Sequence, residues 1–356
     1  MEDMKPLSNV QMVLTIVFLA LFMRLDGLGF GLPDVFHQDE AMMVNHALKI
    51  GSGDWNTGYF VIPQLISYVL FLAYGVFYLI GHVLGYFRST ESFGLSFFQD
   101  PTPFYLIGRS IIGVVPGTLN ILALYLLGKR HFSIETGFAS SLLLAVAPIH
   151  VAHSHYIYAD ILVTLAITLL FHSLLSLVDR PSWKNYLFIG LWLGVGTAIK
   201  YTALYFVPVI ILTQLVANHR EWYKIVVSGI TSFCVFATLA PYTFFDWENF
   251  YSQVMTQSGG EIFVGWTHHL VYSLVGGTSI FVILVAIVGV VCGLIGHPKK
   301  AVILLSGMVW FYLVNALFSQ HFARYALPIV PFVCLFAAVA VTSKVSDRLF
   351  MVRESN

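Results

Sequence analysis

Stretches of about 20 mostly apolar residues recur along this chain, and they constrain its fold more than any other feature. A helix needs roughly that many apolar residues to cross the hydrocarbon core of a bilayer. The stretches run from Val10 to Thr342 with only short polar breaks between them. Hydrophobic residues make up 58% of the 356 positions and charged residues only 10%, which excludes an ordinary soluble domain. The pattern predicts an all-α integral membrane protein.

Ten apolar segments are predicted to be transmembrane helices. They are residues 10–28, 104–127, 136–152, 160–178, 186–200, 202–217, 224–243, 270–295, 301–318 and 325–342. A further apolar run, residues 61–86, is also long enough to span. We therefore expect one polytopic transmembrane domain over residues 1–343, followed by a short tail, residues 344–356, which is too small to fold alone.

The distribution of Lys and Arg predicts the orientation, because cytoplasmic loops are enriched in these residues. If residues 61–86 do not cross, 12 of the 18 basic residues fall on one side. These are Lys5, Lys129, Arg130, Arg180, Lys184, Arg220, Lys224, Lys299, Lys300, Lys344, Arg348 and Arg353. We therefore predict an interfacial or re-entrant helix within residues 61–86, cytoplasmic termini, and a long first loop, residues 29–103, on the outer face.

The charge balance and the cysteines exclude two other classes of protein. The formal net charge is zero and no dense basic run is present, so a nucleic-acid partner is not expected. Cys234, Cys292 and Cys334 each lie within an apolar run, without the spacing of a disulfide framework or a zinc site.

Acidic residues on the predicted outer face are the first candidates for chemistry. Asp39 and Glu40 follow the first span and could accept a proton or bind a divalent ion, although adjacent acids in an outer loop are often merely solvated. Asp160 opens a span. An ionised group at membrane depth costs about 2.5 to 3.5 kcal/mol on insertion scales, so it persists where it is paired, hydrated or used.

Three basic residues lie on the outer side against the orientation rule: Arg109, Lys200 and Arg324. Two explanations remain open for them. They could form ion pairs with the acidic residues that hold helices together. Alternatively, they could bind an anion such as a lipid phosphate, for which Arg offers a bidentate fork and Lys a point charge.

A metal site is not predicted from the histidines. His150, His153 and His155 precede Asp160 closely, but two ligands on one helix are expected at i and i+4, and these are spaced by three and two residues.

Five segments carry a resemblance to a known family. They are FHQDEAMMVNHAL, DPTPFYLIGRSIIGVVPGTLNILALYLLGKRHF, APIHVAHSHYIYADILVTLAI, GTAIKYTALYFVPVII and, more weakly, HFARYALPIVPF. In order and spacing they resemble bacterial and archaeal members of the protein O-mannosyltransferase-like family of C-type glycosyltransferases, which use phospholipid-carried sugars. Gln38 departs from the pattern, since many relatives have Pro there, next to the acidic pair.

The resemblance implies roles for the acidic residues. Asp39 would be the general base that takes the proton from an acceptor hydroxyl. Glu40 would position the acceptor or a cation, and Asp160 would support the sugar or the acceptor.

It also implies a binding site for the carrier. Arg109, Lys200 and Arg324 would hold the carrier phosphate and stabilise the negative charge that develops on it. His155 and Tyr201, which lie in the matching segments, are assigned with them to binding of the phosphate or the sugar.

The activity implied is transfer of a hexose or pentose from a polyprenyl-phosphate carrier to a lipid, glycan or protein hydroxyl, with inversion, on the outer face of the cell membrane. No cofactor is required by this reaction, although a divalent cation is compatible with it. The alternative from another class is a transporter or flippase for a lipid-linked or anionic substrate, because charges inside a helical bundle are equally natural there. Transporters more often show repeated halves and helices broken near the midplane.

Overall fold

The computed structural model describes residues 7–35, 37–256, 265–317 and 322–343. Within these ranges every regular element is a helix, so the predicted all-α class is confirmed. Outside the described residues lie 1–6, Phe36, 257–264, 318–321 and the predicted tail 344–356.

Seventeen helices follow one another in the described ranges. They are α1 (Asn9–Leu25), α2 (Gln38–Ile50), α3 (Leu65–Val83), α4 (Thr90–Gln99), α5 (Thr102–His131), α6 (Ile134–Val146), α7 (Pro148–His153), α8 (Ala159–Asp179), α9 (Trp183–Ile199), α10 (Tyr201–Ala217), α11 (Trp222–Leu239), α12 (Tyr242–Phe245), α13 (Trp247–Thr256), α14 (Gly265–Val275), α15 (Ile280–Gly296), α16 (Pro298–Ala316) and α17 (Ala323–Thr342). The first turns of α10 and α17 are 3-10 helices.

Six described helices are long and apolar enough to cross a membrane: α3, α5, α8, α11, α16 and α17. The bent pair α14 and α15 would make a seventh. Helices α1, α6 and α10 are apolar but shorter. Each of the ten predicted segments coincides with one of these helices or with α9, but the count of ten spans is not confirmed. Helix α3 is the run predicted to lie at the interface, and that orientation stays a prediction.

The predicted span 270–295 is wrong as a single helix. Helices α14 and α15 meet at an angle of 100°, and Ser279 begins the second by accepting a hydrogen bond from the Phe281 amide at 3.2 Å. The break has a packing reason. At Gly277 a Cβ would lie 2.8 Å from the Ile149 side chain, and the Gly277 carbonyl accepts the Ile149 amide at 3.0 Å. The bend thus lets α7 pack against the chain at this point.

Helices α8 and α17 lie at the centre of the bundle. In their most apolar stretches 72% and 83% of residues are buried, against 17% in α11 and 28% in α3. Their large side chains interlock, since the rings of Phe171 and Phe332 lie 4.5 Å apart. Small residues allow close approach elsewhere: a Cβ at Gly190 would lie 2.4 Å from the Ser228 carbonyl oxygen, where α9 packs on α11.

The central helices position the charged residues. Asp160 is the second residue of α8, and Arg324 is the second residue of α17. Asp39 holds the same place in α2, and Lys200 follows the last residue of α9. The beginnings of three helices and the end of a fourth therefore meet at one end of the bundle.

Candidate functional site

Four charged side chains form a row of alternating sign, which we call the charged row. Lys200 Nζ lies 2.7 Å from Asp160 Oδ1, and Asp160 Oδ2 lies 3.5 Å from Arg324 Nε. Arg324 Nη2 lies 3.3 Å from Asp39 Oδ2. Asp39 and Lys200 keep 18% and 14% of their side-chain surface exposed, whereas Asp160 keeps 3%. The two ends of the row are thus open to a ligand, and its centre is buried.

The local backbone favours the charge at three of the four positions. Asp39 and Asp160 lie in the first turns of their helices, where the positive end of the helix dipole stabilises an anion. Lys200 follows the carboxyl end of α9 in extended conformation, with φ −155° and ψ 127°, where a cation is favoured.

Arg324 is the exception, because it places a cation at a helix amino terminus. Its guanidinium therefore depends on Asp39 and Asp160 for compensation, or on another anion.

Aromatic rings surround the cations of the row. The Tyr158 ring centroid lies 4.8 Å from the Arg324 guanidinium carbon and 5.9 Å from Lys200 Nζ. The Tyr325 ring lies 4.7 Å from Lys200 Nζ, and the Phe322 ring lies 4.2 Å from Arg324. These faces attract cations and displace water from them. Burial, together with the charges of Asp160 and Asp39, raises the pKa of Tyr158, which therefore stays a neutral hydroxyl.

A second group of rings lies beside Asp39. His37 Nδ1 is 3.8 Å from Asp39 Oδ2, and the His37 ring lies 4.7 Å from that of Tyr156. The Phe30 ring meets Tyr156 edge to face at 5.4 Å. Burial and the charge of Asp39 raise the pKa of Tyr59, which marks this tyrosine as another neighbour of the carboxylate.

Glu40 and Arg109 are predicted site residues that the structure separates from the charged row. Arg109 donates from Nε and Nη2 to the two Glu40 carboxylate oxygens at 2.9 and 2.8 Å, and neither side chain is exposed. Its Nη1 donates to the carbonyls of Leu28 and Phe30 at 2.7 and 2.9 Å. Glu40 Oε1 also accepts the Ile157 amide at 3.0 Å. The pair therefore ties the first loop, α2, α5 and the loop before α8 together, which agrees with the ion-pair explanation.

His155 and Tyr201 also lie apart from the charged row. The two ring nitrogens of His155 lie 2.9 Å from the carbonyl oxygens of Val151 and Asp26, so this side chain links the first loop to the segment after α7. The Tyr201 ring packs toward Phe236 and Phe250 at 6.3 and 5.8 Å.

The histidines before Asp160 take separate partners. The His150 ring lies between Arg24 Nη2, at 2.7 Å from Nδ1, and the Asn120 amide, at 3.0 Å from Nε2. Burial, opposed by the Asp160 charge and assisted by that of Arg324, lowers the pKa of His153 to about 4. His153 is therefore neutral at pH 7. Across the described ranges no group of three His, Cys, Asp or Glu residues could hold a metal ion.

Sequence reasoning missed several residues of this region. His37, Tyr158 and Tyr325 lie within two positions of the predicted charges in sequence, and that proximity was the available signal. Arg24 is fully buried and donates to the carbonyls of Ala20 and Ala145, both at 3.1 Å. A lone basic residue at the end of an apolar segment could have marked it.

Comparison with known proteins identifies a related family. A profile of the family described as dolichyl-phosphate-mannose-protein mannosyltransferase matches residues 107–245, which confirms the predicted resemblance over that range. No curated protein sequence matches the chain.

Two solved membrane proteins share the fold. ArnT from Cupriavidus metallidurans bound to undecaprenyl phosphate is 15% identical with a TM-score of 0.68, and its apo structure gives 0.66. The match to the undecaprenyl phosphate complex covers 93% of this chain and 59% of ArnT. The apo Archaeoglobus fulgidus oligosaccharyltransferase is 11% identical with a TM-score of 0.65, covering 98% of this chain and 52% of that one. The chain thus spans somewhat more than half the length of the proteins whose fold it shares.

Proposed function

We propose that this chain is a membrane glycosyltransferase that moves a sugar from a polyprenyl-phosphate carrier to an acceptor hydroxyl. The observation that carries the proposal is the charged row. It places a carboxylate, Asp39, at one open end and two partly exposed cations, Arg324 and Lys200, along the same row. The family match and the shared fold support the same reading, since one of the similar structures holds undecaprenyl phosphate.

Lys200 and Arg324 bind the carrier phosphate. Both cations already face carboxylate oxygens, so a phosphate oxygen can take the place of those contacts with similar geometry. Tyr158 and Tyr325 shield the cations from water, which strengthens their attraction for an anion. Asp160 holds both cations in line and is therefore a positioning residue in this proposal.

Asp39 is the general base. When the phosphate takes Arg324, the Asp39 carboxylate becomes free to accept the proton of an acceptor hydroxyl. The hydroxyl oxygen attacks the anomeric carbon, and the bond from that carbon to the phosphate oxygen breaks. The electron pair leaves with the phosphate, whose growing charge is stabilised by Lys200 and Arg324. One displacement of this kind inverts the anomeric configuration.

The buried pair of Glu40 and Arg109 fixes the geometry of the base. Glu40 follows Asp39 directly on α2, so holding its carboxylate on Arg109 fixes where the Asp39 side chain points. We therefore assign Glu40 and Arg109 to positioning rather than to contact with the substrate. His155 has a similar part, because it links the first loop through the Asp26 carbonyl. Tyr201 adjoins Lys200 in sequence and packs at the border of the site.

The charged row faces the outside of the cell membrane in this proposal. The basic clusters predict that side, and α3 does not cross. A cysteine at the exposed Thr90, in a variant whose exposed Cys234 is replaced by Ser, should react with an impermeant maleimide on intact cells. A cysteine at the exposed Lys299 should react only after lysis. Labelling of Thr90→Cys only after lysis would overturn the orientation.

The activity is tested in proteoliposomes with radiolabelled polyprenyl-phosphate sugars. Wild-type protein should release the sugar from its carrier, to water or to an added acceptor, and Asp39→Asn should slow release at least 100-fold, within the usual range for a general base. Movement of intact carrier across the bilayer, without cleavage of the sugar, would instead identify a flippase.

A further inference from the structure

The rings beside Asp39 form a continuous surface, which we call the aromatic wall: His37, Tyr156 and Phe30. The His37 and Tyr156 rings lie 4.7 Å apart with planes tilted by 48°, and Tyr156 and Phe30 are edge to face at 5.4 Å. All three are reachable from solvent. The His37 side chain is 24% exposed, Phe30 is 37% exposed, and Tyr156 is half-buried.

Buried contacts of Arg109 and Glu40 hold the aromatic wall in place. The Arg109 guanidinium carbon lies 4.4 Å from the centre of the Phe30 ring, and Arg109 also donates to the Phe30 carbonyl at 2.9 Å. Tyr156 precedes Ile157, whose amide donates to Glu40. A preformed surface of this kind costs little ordering entropy when a ligand binds.

Asp39 has two sets of neighbours, the cations and the aromatic wall, and the two sets also meet where the His37 ring lies 6.3 Å from that of Tyr158. From the base, one direction runs through Arg324 and Asp160 to Lys200. The other direction runs through His37 to Tyr156 and Phe30. If the carrier phosphate occupies the cations, as the proposed function requires, the acceptor approaches Asp39 from the wall.

We propose that the aromatic wall is the acceptor subsite and that the acceptor is itself a carbohydrate. A sugar ring has C–H groups on one face and hydroxyls around its edge. Aromatic faces carry negative charge density and attract the polarised C–H groups, while Asp39 accepts from one hydroxyl. A serine or threonine side chain has one hydroxyl but no ring face to cover three aromatic groups. This inference rests on the proposed function for the direction of approach.

Rings of an interfacial belt would be a structural explanation for the same composition. Residues of such a belt lie in the headgroup region and need not contact one common polar group. Here the three rings contact one another in sequence, and His37, at one end, contacts both the Asp39 carboxylate and Tyr156. The sugar explanation uses both the rings and the carboxylate.

The test is saturation-transfer NMR on the full chain in nanodiscs containing undecaprenyl phosphate. The probes are a panel of methyl hexopyranosides and methyl pentofuranosides, with N-acetyl-threonine methylamide as the peptide-like comparison. At least one glycoside should receive saturation at its ring C–H protons. Tyr156→Leu should weaken its binding about tenfold, whereas Tyr156→Phe, which keeps the ring, should stay within about twofold of wild type. Tyr86→Leu, at a residue that is 78% exposed on the loop after α3, is the matched control and should bind as wild type does.

Binding of the threonine probe in preference to every glycoside, absence of binding by the whole panel to wild type, or equal binding by Tyr156→Leu and Tyr156→Phe would each overturn the inference. Release of the sugar from its carrier to water, measured on the same preparations, tests the proposed function separately. Normal release combined with no glycoside binding would remove the acceptor subsite and leave the transferase intact.

Discussion

Asp39 and Glu40 are neighbours on α2, yet their carboxylates lie in opposite environments. Glu40 is fully buried, and both of its oxygens accept from one guanidinium at 2.8 and 2.9 Å. Asp39 is partly exposed, and its contact with a guanidinium, which it shares with Asp160, is longer at 3.3 Å; His37 Nδ1 lies 3.8 Å from the same carboxylate. Glu40 thus belongs to a buried ion pair with Arg109, which we call the closed pair. Asp39, one residue away, belongs to the partly exposed charged row, which we call the open row.

The difference separates a charge that stabilises the fold from a charge that is available for binding or catalysis. In the closed pair the Arg109 guanidinium donates through four of its five N–H groups to protein acceptors, and its side chain is fully buried, so it is not accessible to a phosphate. In the open row the Arg324 contacts are longer, at 3.3 and 3.5 Å, and Lys200 has one carboxylate contact, at 2.7 Å, beside a partly exposed side chain, so a ligand can replace them. Removal of a residue from the pair should therefore reduce stability, and removal of one from the row should reduce binding or turnover.

Breaking the closed pair should have the largest effect. Arg109→Ala leaves the Glu40 charge buried without a partner, which typically costs about 3 to 5 kcal/mol of folding free energy. We expect a large fall in the thermal unfolding midpoint of the purified protein in detergent, measured by intrinsic fluorescence. The double variant Arg109→Met with Glu40→Leu should recover part of the loss, because it removes both charges.

Lys49→Ala is the matched control for that experiment. Lys49 pairs with Asp54 at 2.9 Å, but both side chains are about half exposed, so the midpoint should stay close to wild type. Equal midpoints for Arg109→Ala and wild type would show that the buried pair has no structural role.

Removal of either basic side chain from the row should weaken binding of the carrier. Lys200→Ala and Arg324→Ala should each lower the affinity for undecaprenyl phosphate about 10- to 100-fold, since each removes a charge-assisted contact to the phosphate. Microscale thermophoresis in detergent measures this. Lys300→Ala is the control, because Lys300 pairs with Asp179 at the opposite end of α8. Wild-type affinity in both Lys200→Ala and Arg324→Ala would contradict the anion site.

A change of pH should have a smaller effect, on the stability of the folded protein, through His153 at the edge of the charged row. Burial lowers the pKa of His153 to about 4 in the folded protein, against an ordinary value of 6.5. Protonation thus favours the unfolded chain, and stability is lost as the pH falls through the window from 6.5 toward 4. At pH 5 this difference in pKa lowers the free energy of unfolding by about 2 kcal/mol relative to its value at neutral pH. His153→Gln should therefore show a smaller drop in unfolding midpoint between pH 7.5 and 5 than wild type does. An equal drop in both proteins would refute the assignment.

The sequence was sufficient for the helical class, and it singled out the four charged residues that the structure brings together in the charged row. Apolar length predicts where helices run, and a basic or acidic residue within such a run stands out, as Asp160 and Lys200 do. Sequence could not tell which charges pair. Asp39 and Glu40 differ by one position, and only the direction of each side chain from α2 sends one to Arg324 and the other to Arg109.

The break in the predicted span 270–295 was also beyond reach of hydropathy. The run Gly276-Gly277-Thr278-Ser279 is typical of a turn, but it is short and leaves the segment apolar as a whole. At the bend Gly277 is in close contact with Ile149 from a distant part of the chain. Contacts of that kind depend on the tertiary arrangement and leave no local apolar signal.

The most direct test of the account compares Asp39→Asn with Glu40→Gln in one preparation series. Unfolding midpoint and release of sugar from a polyprenyl-phosphate donor are measured for each folded variant. We expect Asp39→Asn to keep the wild-type midpoint and lose at least 100-fold in turnover, and Glu40→Gln to show a clearly lower midpoint. Undiminished turnover in Asp39→Asn, or the same pattern in both variants, would contradict the division between the open row and the closed pair.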